Sequence, residues 1–73
     1  MRRYAARVAA QYHFQFPTEG DALRFTRSVA WKCEDIAIRR DGAWVSIIDG
    51  AGGREQELLA MALRIHDNPL VVK

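Results

Sequence analysis

The sequence holds one cysteine and two prolines, and no apolar run in it approaches the ~20 residues of a membrane-spanning helix. Each scarcity closes a class of explanation. A lone Cys33 cannot form an internal disulfide and supplies no thiolate metal set, so a reducing, cytoplasmic setting is the expectation. With no long apolar run, no membrane association is expected. A basic-then-apolar start with a small-residue cleavage site is also missing, so no secretory leader is expected. Pro17 and Pro69 stand far apart, which leaves room for uninterrupted helices and strands between them.

What is present is apolar and cationic. Hydrophobic residues make up 49% of the 73, too many for a disordered chain, and the length suits one domain with a single small core. The net charge of +2 conceals an asymmetry. Residues 1–40 hold eight Lys or Arg against four acids, whereas residues 41–73 hold three against five. Nine of the eleven cations are arginine, the side chain suited to forked contacts with carboxylate or phosphate. The excess is too small for strong nonspecific binding to nucleic acid, which requires several phosphates to be neutralised together.

Hydrophobic spacing divides the chain into elements. Tyr12, Phe14 and Phe16 alternate with Gln11, His13 and Gln15, the period of a strand with one buried face. Residues 3–10 continue the alternation but also carry Tyr4 and Val8 at helical spacing. Residues 1–10 are therefore left open between an extended first strand and an N-terminal arm. Thr18 reads as an N-cap with Glu19 and Asp21 in the first helical turn. A helix over about 19–32 gathers Ala22, Phe25, Thr26, Val29, Ala30 and Cys33 on one side and turns Arg24, Arg27 and Trp31 outward. Residues 36–40 and 43–48 read as two short strands around Asp41-Gly42, a pair suited to a two-residue type I′ hairpin loop. A second helix over about 54–66 carries Leu58, Leu59, Met61, Ala62 and Ile65. Asn68-Pro69 ends it, and Leu70-Val71-Val72 supplies a last strand.

The order β-α-β-β-α-β is that of the ferredoxin-like α+β sandwich, a four-stranded antiparallel sheet with both helices on one face. With Asp41-Gly42 as the whole loop, Arg39 pairs with Trp44, Ile38 with Val45, Ala37 with Ser46 and Ile36 with Ile47. Partners across a ladder share a face. Ile36, Ile38, Val45 and Ile47 therefore go under the helices, and Ala37, Arg39, Trp44, Ser46 and Ile48 go to the open side. His13 and Gln15 join them from the first strand, with Arg7 and Gln11 if that strand is long. A cation–π contact between Arg39 and Trp44 is expected in this register.

Known families on this plan were compared residue by residue. The chain resembles the RNA-recognition motif in topology and in a basic, partly aromatic open face. That resemblance implies base stacking on the sheet, yet the third-strand stretch Asp41-Gly42-Ala43-Trp44-Val45-Ser46 has one outward aromatic where the motif alternates several. Pro17, Gly20 and Leu23 are similar, with looser spacing, to the first loop of small ACT-type regulatory domains, which implies ligand or subunit contact at residues 17–21. The Cys-x-x-Cys of metal-carrying relatives is replaced by Pro17-Thr18-Glu19-Gly20, and the first loop lacks the arginine of acylphosphatases.

Other chemical signals are weak. Gly50-Ala51-Gly52-Gly53 is followed by Glu55 and Glu57, which put negative charge where a phosphate would sit. His13 and His66 belong to no triad. Glu34 and Asp35 are adjacent, so on a strand they point to opposite faces. The expectation is a non-catalytic binding or regulatory module without cofactor, metal or small-molecule ligand. It would act by protein–protein contact, as a homodimer or on a partner, through the open sheet face, with Trp44, Arg39, Ile48, His13 and Arg7, and through the first strand, which as an extended edge could add to another chain's sheet. RNA binding by the same face is the alternative.

Overall fold

Burial alternates along the first and third strands and over the start of the second, as the sequence spacing requires. A computed structural model describes residues 10–50, 52–67 and 69–72. In chain order the elements are β1 (Ala10–Gln15), α1 (Glu19–Lys32), β2 (Ile36–Asp41), β3 (Trp44–Asp49), α2 (Glu55–Ile65) and β4 (Leu70–Val72). The strands form one sheet in the order β2-β3-β1-β4, with every neighbouring pair antiparallel. This is the α+β two-layer, ferredoxin-like plan. The expectation for residues 1–9, including Arg7, lies outside the described residues.

The core forms where the apolar faces meet. Tyr12, Phe14 and Phe16 enter it from the first strand and the residue just beyond it, and Val45 and Ile47 from β3. Ala22, Phe25, Val29 and Cys33 close it from α1, and Leu58, Met61 and Ala62 from α2. At its centre the Phe25 ring lies 4.8 Å from Phe14 and 5.0 Å from Phe16, both tilted, the geometry that aromatic quadrupoles favour. Ala30, placed by its spacing on the core side, is exposed.

Local chemistry sets the helix ends. The Thr18 hydroxyl accepts a hydrogen bond from the Asp21 N–H at 3.1 Å, satisfying one of the orphan donors of the first turn. At the other end the Cys33 N–H reaches the Val29 carbonyl at 2.9 Å, and the chain leaves in an extended conformation. Asp35 then takes φ +62°, a left-handed position that aspartate tolerates better than most residues. Its carbonyl accepts the Gly50 N–H at 3.1 Å, which ties the start of β2 to the end of β3.

The hairpin corrects the expected register. Asp41 pairs with Trp44, so the loop is Gly42-Ala43 and Asp41 belongs to β2. Arg39 faces Ser46, and Ile38 faces Ile47. Only Gly42 has positive φ, at +62°, as a type II′ loop requires of its first residue. The type I′ loop would instead impose positive φ on Asp41 as well. The Arg40 guanidinium adds a hydrogen bond to the Gly42 carbonyl at 3.0 Å. Each β3 residue thereby slides two places along β2, and two is the period of a strand, so the assignment of side chains to faces survives. Gly42→Ala should cost about 1–2 kcal/mol by placing a Cβ in left-handed backbone. An unchanged urea midpoint would contradict this loop geometry.

Candidate functional site: the open face of the sheet

The face away from the helices is laid out in three rows across the strands. Ala37, Ile48 and Gln11 form the first row. Arg39, Ser46 and His13 form the second, and Asp41, Trp44, Gln15 and Leu70 the third. Neighbours within a row are about 4.8 Å apart, and successive rows about 7 Å. The surface is thus a polar stripe between two partly apolar ends. Trp44 is 38% exposed, Ile48 44% and Leu70 52%, and no element described here covers them.

Four of the five sequence-predicted contact residues lie in this array. Trp44 and Ile48 sit at opposite ends of β3, and Arg39 and His13 flank Ser46 in the middle row. The expected pairing of Arg39 with Trp44 is replaced by a diagonal relation, because Asp41 occupies the place opposite the indole. His13 Nδ1 lies 2.9 Å from Ser46 Oγ, so the imidazole is held against the sheet. Arg39, Gln11, Ala37, Ile38, Ser46 and Ile48 line a shallow depression of about 320 Å³. β1 itself lies inside the sheet between β3 and β4. It contributes side chains to the open face, and its pairing with β4 covers only His13–Gln15.

Two features escaped the sequence reading. Leu70 reaches the open face because Gln15 is its ladder partner, and no short turn joins β1 to β4 from which that register could be inferred. Asp49 is the second. It was placed beyond the third strand, whereas it forms the last residue of β3 on the core side and is fully buried. Its carboxylate accepts the Arg54 N–H at 3.2 Å and lies 3.8 Å from Arg54 Nε, while its own carbonyl accepts the Gly52 N–H at 3.2 Å. An aspartate at a strand end followed by a glycine-rich turn into a helix is the signal that could have revealed it.

Arg54 bridges this carboxylate to the end of α1. Proximity to Cys33 is the largest cause, and the Asp49 and Glu57 carboxylates add to it, so the guanidinium pKa is raised above its ordinary value against partial desolvation. The arginine therefore stays charged throughout the usable pH range. The cluster joins the start of α2 to the ends of β3 and α1, a structural function. Among the described residues no group of His, Cys, Asp and Glu is arranged to hold a metal ion, and no helix is long and apolar enough to cross a membrane.

No family model matches the chain, and no curated protein or solved structure shows significant similarity to it.

Proposed function

We propose that the protein is a small, non-catalytic binding or regulatory module that works by protein–protein contact on the open sheet face. Contact is with a second copy of itself or with a docking partner, in a reducing, cytoplasmic-type compartment of the kind its free cysteine suits. One observation carries this reading: Trp44, Ile48 and Leu70 stand exposed on one uncovered face, around a polar row that can fix orientation. Apolar side chains left in water at both ends of one uncovered face favour an interaction surface, and tryptophan is among the residues enriched as interface anchors.

The same face supports RNA less well. Its described part carries one arginine, Arg39, and one outward aromatic, Trp44, where stacking platforms use several aromatics and a basic groove. Sedimentation of the wild type against Trp44→Ala tests the reading. A dimer that Trp44→Ala converts to a folded monomer, with Kd weakened about 30-fold or more as for loss of a hot-spot anchor, supports it. A wild-type monomer that binds a mixed RNA pool, with affinity falling steeply as salt rises, would overturn it.

A further inference from the structure

The helical layer carries its own exposed apolar site, separate from the sheet face. Trp31, in the last turn of α1, is 89% exposed, the most exposed large hydrophobic side chain described. Beside it a groove of about 160 Å³ opens between the helices, lined by Ser28, Trp31 and Lys32 from α1 and by Met61, Arg64 and Ile65 from α2. Its floor is aliphatic, and Met61 there is continuous with the core. Its rim is cationic. Among the described residues neither Lys32 nor Arg64 is ion-paired, whereas Arg24 and Arg54 both are.

We infer that this groove docks an acidic peptide segment of a partner protein through one apolar side chain. The volume suits a single leucine-sized group against Met61, Ile65 and the Trp31 ring. Carboxylates on either side of that anchor would meet Lys32 and Arg64, whose charges are otherwise uncompensated, and Ser28 offers a hydroxyl to the peptide backbone. Complementary charge of this kind speeds association and selects the partner more than it adds affinity. Beyond the two cations only the Ser28 hydroxyl lines the groove as a polar group for a nucleobase edge, so an apolar anchor fits better than an unstacked base.

The test uses the full chain labelled with ¹⁵N and the acetylated peptides EEFLEE, KKFLKK and EEGSEE. Trp31→Phe and Trp44→Phe assign the two indole N–H signals, which report the helical groove and the sheet face separately. EEFLEE should move the Trp31 indole and the Met61 and Ile65 amides saturably, and less tightly as salt rises. The other two peptides should leave them in place. Lys32→Glu with Arg64→Glu should weaken EEFLEE at least tenfold, and the milder Lys32→Gln with Arg64→Gln should weaken it in the same direction. No saturable movement at millimolar EEFLEE would overturn the inference, as would an equal response to KKFLKK. Movement of the Trp44 indole in place of Trp31, or tighter binding of a single-stranded oligonucleotide at Trp31, would overturn it too. None of these outcomes depends on whether the sheet face dimerises.

Discussion

Phe25→Ala should remove about 3–5 kcal/mol of stability, the range for truncating a buried aromatic. Phe25 is fully buried, and its ring touches both Phe14 and Phe16. Losing it leaves a void bounded by two rings fixed on the sheet, and neither can fold over to fill it. A chain of this size has about 4–11 kcal/mol in total, at the usual 0.05–0.15 kcal/mol per residue. The variant should therefore lose from about a quarter to all of its stability, and urea denaturation followed by far-ultraviolet circular dichroism reads this directly. Phe25→Leu, which keeps most of the volume, should fall well short of that loss. A Phe25→Ala cost below about 1.5 kcal/mol would mean that the site collapses, and that the three rings are not the centre of the core.

Asp49→Ala should be the costliest polar substitution, at about 1.5–3 kcal/mol, the range for hydrogen bonds to a charged group. The carboxylate is fully buried and serves the Arg54 backbone N–H and guanidinium together. Its removal orphans a donor at the entry to α2 and a cation beside the core. Intact buried ion pairs add little net stability, but breaking one is expensive because the remaining group loses its partner. The figure is kept below the full cost of an enclosed pair because the Arg54 head remains partly exposed and can turn to water. A double-mutant cycle with Arg54→Ala isolates the pairwise part, with a coupling of about 1 kcal/mol or more expected. Strict additivity of the two single variants would show that Asp49 acts through the backbone N–H at position 54 without the Arg54 guanidinium.

These two residues also show how far the sequence could be read. Phe25 was placed in the core by helical spacing alone, since its neighbours Ala22 and Val29 lie on the same stripe. Asp49 was invisible to spacing, because a carboxylate at a core position is acceptable only when donors converge on it. Those donors come from the turn after it, and the sequence does not say how that turn folds. The hairpin is intermediate. Its faces were legible because a strand has period two, yet its register was not, since Asp41-Gly42 and Gly42-Ala43 are both sound loops. The choice fell to the loop that asks positive φ of glycine alone.

The candidate site divides the same way. Trp44, Arg39, Ile48 and His13 were assigned to the open face from alternation, and the structure places them there. The supposed Arg39–Trp44 contact was lost with the two-place slide. Leu70 joined the face only through the pairing of β4 with β1. Trp31 was read as pointing outward, but spacing on one helix cannot show that a second helix brings Met61, Arg64 and Ile65 beside it.

By itself, then, the sequence determined the element order, the Thr18 cap, the two faces of the sheet and most of the core, because these depend on periodicity and local backbone chemistry. Tertiary structure decided the hairpin register, the buried Asp49–Arg54 pair, the reach of Leu70 and the groove beneath Trp31. Each of those is a meeting of residues distant along the chain or a choice between loops of similar local merit, and only the packing of the whole chain selects among them.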